Sequence, residues 1–185
     1  MKRLDPSFLS FLNYFLAVFL VFSSHTVIAQ ENYPVPEKTK SLLFYIQHSN
    51  NYNTYLYDIN IRGAFLDKEL PIKEYRILYA KDGSKKNLTK LQKKLAYGII
   101  LEMLTDNLYK FRLAATNAVF FYLAIDKAKN WRVYTTVNNQ KMFVEKLFIQ
   151  FKNTAYSKNI KTAYILFYGE DFHTQKKVVE KYNMN

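Results

Sequence analysis

Apolar and polar positions alternate with a period of two along most of the chain after residue 41, which predicts β-strands. The clearest runs cover residues 72–80, 108–114 and 131–137, where apolar or aromatic side chains recur mostly at every second position. Residues 119–125 are apolar on both sides, so we expect either a central strand or a strand that is covered on both faces. Polar turns rich in Asn, Asp and Gly separate the runs.

Residues 88–96 break this pattern and predict one short amphipathic helix. Three leucines recur at helical spacing with three lysines between them: Leu88, Leu91 and Leu95, and Lys90, Lys93 and Lys94. Thr89 or Asn87 is in position to cap the helix, and Gly98 to end it. We expect the leucines to plug one end of the sheet or cover one face. The three lysines could form a basic binding surface, although any surface helix has a charged outer side.

The whole pattern predicts about nine strands and one helix in a single domain over residues 41–185. Short strands separated by polar turns are typical of an antiparallel β-barrel or a β-sandwich. Both architectures must protect their strand edges, and the sequence does not distinguish between them.

The first 29 residues predict an export signal. Lys2 and Arg3 give a basic start, residues 8–22 are mostly apolar, and Val27 and Ala29 provide a cleavage site. A spanning helix needs about 20 apolar residues, so the 15-residue stretch favours a cleaved signal over a retained anchor. We therefore expect an extended linker at residues 30–40 and a periplasmic or extracellular domain, with no transmembrane segment in the mature chain.

Charge and composition limit the possible partners and chemistry. The chain has no cysteine, which excludes disulfides, thiol catalysis and thiolate metal sites. The net charge is +12, and removal of two basic residues and one acidic residue with the signal leaves +11. This surplus favours anionic envelope components such as phospholipid head groups, lipopolysaccharide or acidic glycans, whereas nucleic acid is not expected outside the cytoplasm. A solvated lysine-rich surface without a specific partner would explain the same charge.

No catalytic motif stands out. His48 and His173 are the histidines after residue 29, and they lack the close spacing of metal ligands, so we expect no metal or other cofactor. The chain contains neither a G-x-S-x-G motif nor a glycine-rich phosphate loop. Carboxylates within strand runs leave a carboxylate-dependent hydrolase open: Asp58, Glu74, Glu102 and Glu145.

Four side chains are candidates for ligand binding. Gln47, Arg112 and Tyr134 are polar residues on apolar-rich strands, where they could fix the polar end of a ligand in the mouth of a barrel or sandwich. Glu145 lies in the series Phe143, Leu147 and Ile149 on one face of the predicted strand 142–151, and a carboxylate that faces a core must be paired or lie in a cavity. The alternative for Glu145 is a salt bridge to a strand arginine such as Arg112, or a solvent-facing position at a bulge.

Four stretches form a combined pattern: FYIQHSN at 44–50, QKKLAYG at 92–98, YTTVN at 134–138 and YGED at 168–171. Their order and spacing resemble a secreted bacterial family known only as domain of unknown function 4833. The resemblance covers roughly residues 42–182. It implies an exported, mostly β domain and no activity.

Three functional hypotheses follow. The leading one is a non-catalytic exported domain that binds an apolar or amphipathic small molecule or an anionic envelope component. The second is an envelope structural or protein-interaction module that uses a strand edge or the lysine-rich helix, and the third is a hydrolase that uses Glu145. They differ in predicting an enclosed apolar cavity, a filled core with an exposed apolar patch, or a cleft with two close titratable groups.

Overall fold

The computed structural model describes residues 33–152 and 161–184, which form a mostly β domain with one short helix, as predicted. The predicted signal at residues 1–29 lies outside these residues. The strands are β1 (Leu42–His48), β2 (Asn51–Ile59), β3 (Ile61–Arg62), β4 (Phe65–Leu66), β5 (Ile72–Ile77), β6 (Lys85–Asn87), β7 (Ile99–Thr105), β8 (Leu108–Leu113), β9 (Phe121–Ile125), β10 (Trp131–Val137), β11 (Gln140–Phe151), β12 (Thr162–Asp171) and β13 (Lys177–Asn183). The strands beyond the predicted nine are the short β3, β4 and β6 and the C-terminal β13.

Strand β11 organises the sheet. One of its edges pairs with β12 along nearly its whole length, and β13 continues the sheet on that side. Its other edge is shared, because the first part pairs with β10 and the later part pairs with β1. Two arms start from this edge, β1-β2-β5-β6 and β10-β9-β8-β7, and the sheet curls into a half-barrel. The pairings described are antiparallel except β1 with β11, so the sheet is mixed rather than wholly antiparallel.

Stacked aromatic rings join the two arms on the inner face of the half-barrel. Phe44 and Tyr57 on the first arm stack with ring centroids 4.3 Å apart, and Phe111 and Phe121 on the second arm stack at 5.3 Å. The Phe44 ring lies 6.2 Å from Phe111 and 6.0 Å from Phe121. All four side chains are at most 1% exposed. Burial of such large rings stabilises the fold strongly, and it fills the inner face with the chain's own side chains.

A second, smaller set of buried side chains lies on the opposite side of the sheet, which we call the outer face: Leu56, Phe143, Lys146 and Leu166. The N-terminal residues of the described chain pack on it. The Tyr33 ring lies 5.1 Å from the Phe148 ring, and Gln47 Nε2 donates a hydrogen bond of 2.8 Å to the Pro34 carbonyl oxygen. The boundary predicted between linker and domain at residue 41 stays a prediction.

The helix differs from the one predicted at residues 88–96. It consists of one α-helical turn, α1 (Lys90–Gln92), that continues directly as a π-helix over Lys93–Tyr97. Thr89 is the N-cap and forms a capping box with Gln92, and Gly98 follows the last helical residue, both in the predicted places. No helix within residues 33–152 and 161–184 is long and apolar enough to cross a membrane.

The expectation that all three leucines of this helix cover the sheet is wrong. Leu88 is buried, but Leu91 and Leu95 are 65% and 60% exposed. Leu88 precedes the N-cap Thr89 and is therefore not part of the helix, so its side chain need not lie on the same side as Leu91 and Leu95. Tyr97 packs inward instead, where its ring stacks on Tyr55 with centroids 3.5 Å apart.

Candidate functional site

A β-bulge in β11 determines which side chains reach the outer face. The register between β11 and β12 shifts between Val144 and Lys146, which makes Glu145 the extra residue. Before the bulge Phe143 lies on the outer face, and after it Leu147 and Ile149 face the core. The expectation that Glu145 shares one face with these three residues is therefore wrong. The bulge places both Glu145 and Lys146 on the outer face.

Lys146 is the most unusual side chain on this face. It is 7% exposed and pairs directly with Tyr45 on β1 and Tyr168 on β12. Its Nζ lies 5.0 Å from the centroid of the Tyr168 ring and 5.7 Å from that of Phe148, within reach of cation–π attraction. Within the described residues it makes no salt bridge or hydrogen bond. We call these four residues, Tyr45, Lys146, Phe148 and Tyr168, the Lys146 site.

The Lys146 side chain is thus a buried cation without a counter-ion. Its removal from water lowers the pKa of the ammonium group to about 8, because burial disfavours the charged form. At neutral pH the amine still carries its proton. A buried charge without a partner costs stability, and an anion that reached it would remove that cost.

The two tyrosines add hydrogen-bonding capacity to the Lys146 site. Burial raises the pKa of Tyr45, with further contributions from Glu145 and Tyr168, and burial also raises the pKa of Tyr168. Both hydroxyls therefore remain protonated in the physiological range. Neither makes a hydrogen bond to another described residue. The site combines one cation, two hydroxyls and three aromatic rings on a sheet surface.

Beside the Lys146 site lies an ion network. Lys177 on β13 contacts Glu145 Oε1 at 2.7 Å and Glu170 Oε1 at 3.1 Å. Arg132 Nη2 on β10 donates to Glu170 Oε2 at 2.7 Å, and its guanidinium group lies 3.9 Å from the centroid of the Phe143 ring. Glu145 therefore combines the two alternatives considered from the sequence, because it forms a salt bridge and also lies at a bulge. The network connects strands β10 to β13 across the outer face.

The Glu170 carboxylate of this network is poorly suited to acid catalysis. Burial pushes the pKa of Glu170 upward, but hydrogen bonds from Arg132 and Lys177 outweigh it and leave the pKa below its usual value. A carboxyl group that serves as a general acid at neutral pH needs a raised pKa. In this arrangement Glu170 serves as an ion-pair partner that remains ionised.

The four predicted ligand-binding residues lie on different strands, and no described hydrogen bond, ion pair or ring contact joins any two of them. Gln47 on β1 is fully buried, and its Nε2 also donates to Thr54 Oγ1 at 3.0 Å. Arg112 on β8 donates weakly to the Leu113 carbonyl oxygen at 3.5 Å. Tyr134 on β10 stacks on Tyr122 with centroids 5.1 Å apart. A role in binding stays a prediction for all four.

Sequence reasoning singled out Glu145 and missed its neighbour Lys146. Strict alternation along β11 places Glu145 on the core side and Lys146 in solvent. The bulge reverses this and places Lys146 between two tyrosines. A lysine next to a glutamate, with three apolar residues on either side, is the signal that could have indicated an irregular pairing.

His48 has a packing role on the inner face. It is 4% exposed, with its ring 5.8 Å from Tyr55 and 5.5 Å from Phe151. Its Nδ1 accepts a hydrogen bond of 3.3 Å from the Asn50 backbone N–H. Burial lowers the pKa of His48 to about 4. In the part of the chain that the structure describes, no group of three or more potential metal ligands comes together.

Acidification is expected to destabilise the domain through His48. The unfolded histidine takes up a proton near pH 6.5, and the folded one only near pH 4. The contribution of His48 to the free energy of unfolding is therefore fully present above pH 6.5 and is lost as the pH falls towards 4. Since one pKa unit corresponds to about 1.4 kcal/mol, we expect the free energy of unfolding to fall by about 2 kcal/mol between pH 7 and pH 5. Urea unfolding of wild type and His48→Phe at both values measures it. His48→Phe should lose most of the acid sensitivity and the control His173→Gln should keep it; an unchanged slope in His48→Phe would contradict the assignment.

Comparison with known proteins places the chain in a family. The model of the family described as "Domain of unknown function (DUF4833)" matches residues 44–181, most of the chain, and the chain therefore belongs to this family. This confirms the resemblance seen in the sequence. No curated protein and no solved structure matches the chain.

Proposed function

We propose that this member of the DUF4833 family is a non-catalytic, exported binding domain that holds an anionic envelope component, an acidic glycan, at the Lys146 site. The observation that carries the proposal is the buried Lys146 ammonium group, which lacks a counter-ion among residues 33–152 and 161–184. A ligand carboxylate beside Nζ would supply the missing charge.

The surroundings of Lys146 favour a sugar as the carrier of that carboxylate. The rings of Tyr45, Phe148 and Tyr168 offer flat apolar surfaces against which the C–H faces of a sugar ring can pack. The two tyrosine hydroxyls can bind sugar hydroxyl groups. A site on a sheet face can also accommodate a polymer that continues beyond it in both directions.

Charge and core packing support the same choice. The net charge, +12 for the full chain and +11 after the predicted cleavage, attracts polyanions and raises their local concentration. The inner face is filled by stacked rings such as Phe44, Tyr57 and Phe111, which favours an anionic ligand on the outer face over an apolar molecule held inside the half-barrel. Of the two kinds of ligand first considered, the anionic one has the stronger support.

A protein-interaction module is the second candidate, and one observation favours it. Strand β7 pairs only with β8 among the described strands, so its other edge is open. Ile100, Met103 and Leu104 on this strand are 44% to 53% exposed. An apolar edge strand of this kind can add a strand from a partner protein.

A binding titration tests the glycan proposal. Oligogalacturonate, a polymer of uronic acids, is the probe, with a neutral oligosaccharide of equal length as the ligand control. Wild type should bind the acidic probe with an affinity that falls as salt is added, and Lys146→Met should bind it about 30-fold more weakly, as expected when one partner of a buried charge pair is removed.

The matched control is Lys110→Met. Lys110 also lies over an aromatic ring, with its Nζ 4.3 Å from the centroid of Phe120, but on β8, far from β11 in the strand order. This variant removes the same charge and should bind within about twofold of wild type, since a distant surface charge contributes little. Equal losses of affinity in both variants would show that net charge alone is responsible for binding. Wild-type protein that binds neither oligosaccharide would overturn the glycan proposal.

A further inference from the structure

We propose that residues 85–100, which we call the basic segment, dock the domain on an anionic lipid bilayer. The segment contains five lysines and no acidic residue: Lys85, Lys86, Lys90, Lys93 and Lys94. All five are exposed. The segment spans β6, the helix and the start of β7, and it lies apart from the Lys146 site in the strand order.

Exposed apolar side chains lie between these lysines and shortly after them in the basic segment. Leu91 is 65% exposed and Leu95 is 60% exposed, and Ile100 at the start of β7 is 48% exposed. Nothing in the described fold requires apolar residues at these positions, because the inner side of the helix is already filled by Leu88 and Tyr97. Exposed leucines surrounded by lysines are typical of helices that lie in a membrane interface.

The helix is held rigidly enough to present these leucines. Tyr57 Oη donates a hydrogen bond of 2.7 Å to the Tyr97 carbonyl oxygen, and the Tyr97 ring stacks on Tyr55. The Thr89 capping box closes the other end. The leucines therefore project from an anchored element, so that little conformational freedom is lost on docking.

Most of the charge of the basic segment is uncompensated. Lys93 Nζ lies 3.4 Å from Glu74 Oε2, and the other four lysines make no ion pair with a described residue. Each uncompensated lysine near an anionic bilayer adds to the attraction, and its long stem can lie along the interface while its ammonium group contacts lipid phosphates. The complementary surface is therefore negative on the outside and apolar just below, which describes a bilayer with anionic head groups.

The absence of cysteine allows a direct test of insertion, because each single-cysteine variant of the full chain carries one label. An environment-sensitive fluorophore at Leu91→Cys should become brighter and shift to the blue with vesicles that contain phosphatidylglycerol, and should not change with pure phosphatidylcholine. The same label at Phe65→Cys tests a still more exposed apolar residue outside the basic segment, and Lys129→Cys tests a basic turn. Labels at these two positions should not respond. A silent label at Leu91→Cys, or equal responses at all three positions, would overturn the proposal.

Vesicle co-sedimentation supplies the second test. Leu91→Ser/Leu95→Ser and Lys90→Gln/Lys94→Gln should each weaken binding to the anionic vesicles about tenfold. The control Lys127→Gln/Lys129→Gln removes the same charge from the exposed turn after β9 and should bind like wild type. Circular dichroism checks that every variant is folded. Loss of binding in the control to the same extent would show that net charge alone is responsible and would overturn the proposal.

Vesicle binding by the basic segment is expected to be independent of the Lys146 site. Lys146→Met should bind the anionic vesicles like wild type, because Lys146 lies outside the basic segment. Failure of the lipid test therefore leaves the oligogalacturonate titration unaffected, and failure of that titration leaves the lipid test unaffected.

Discussion

Replacing Lys146 by methionine is expected to raise the free energy of unfolding by about 2 kcal/mol at pH 7. The pKa of Lys146 is lowered from 10.5 to about 8 by burial. At about 1.4 kcal/mol per pKa unit, burying the protonated amine costs the folded state up to about 3 kcal/mol. Methionine has a similar length and no charge, so most of that cost disappears in the variant.

The pH dependence of this gain identifies its cause. Only the protonated amine carries the cost, so the gain is complete below about pH 8 and shrinks as the pH rises from 8 towards 10.5. Urea unfolding of wild type and Lys146→Met over this range measures the difference. Lys110→Met, with a lysine that makes no described ion pair, should change stability by no more than about 0.5 kcal/mol. A destabilised Lys146→Met, or a gain that does not depend on pH, would contradict the account.

Lys146 is expected to destabilise the fold, and a role in ligand binding would explain its presence. Binding sites often contain groups that would be more stable elsewhere, because the ligand rather than the protein completes their interactions. For Lys146 the same substitution is expected to stabilise the domain and to weaken ligand binding about 30-fold. A purely structural lysine would not show these two opposite effects together.

Replacing Gly169 by alanine is expected to destabilise the domain by about 4 kcal/mol. A Cβ atom at Gly169 would overlap the Phe143 carbonyl oxygen and lie 3.2 Å from Met142 Cε. The overlap involves backbone at the pairing of β11 and β12, beside the bulge, so a side-chain movement cannot relieve it. The same variant should also disturb the Lys146 site, since the bulge sets the direction of Lys146.

Gly83→Ala is the control for this steric prediction. Gly83 has a φ of +70°, but a Cβ there would meet nothing within 4 Å. Alanine should therefore cost only the strain of the left-handed conformation, about 1 kcal/mol. Urea unfolding midpoints give both values. A loss at Gly169→Ala no larger than that at Gly83→Ala would mean that the two strands can move apart, contrary to the tight pairing described.

Features set by short-range pattern could be predicted from the sequence. The period-two runs became strands such as β8 and β10, because alternating side chains need one buried and one exposed face. The start of the helix and its end at Gly98 followed from capping chemistry that involves only neighbouring residues. The ion pair of Glu145 followed from the cost of leaving a carboxylate unpaired, although its partner is Lys177 rather than Arg112.

Features set by long-range pairing could not be predicted. The parallel pairing of β1 with β11 joins residues about a hundred positions apart, and no local signal encodes it. The bulge at Glu145 exchanges the faces of every later residue in β11, which is why Lys146 was overlooked. The exposure of Leu91 and Leu95 likewise depends on a distant strand, because Tyr97 packs inward against Tyr55 of β2 in their place.

The most direct test of the central claim is an NMR titration of the Lys146 side-chain amine, with and without oligogalacturonate. Without ligand we expect a pKa of about 8 for this amine, because burial lowers it and no described anion lies beside it. With the uronic acid polymer bound, the nearby carboxylate should raise that pKa, because an opposite charge favours the protonated form. A pKa near 10.5 in the free protein, or one that saturating oligogalacturonate leaves unchanged, would contradict the claim that Lys146 is an unpaired buried cation that binds an anionic ligand.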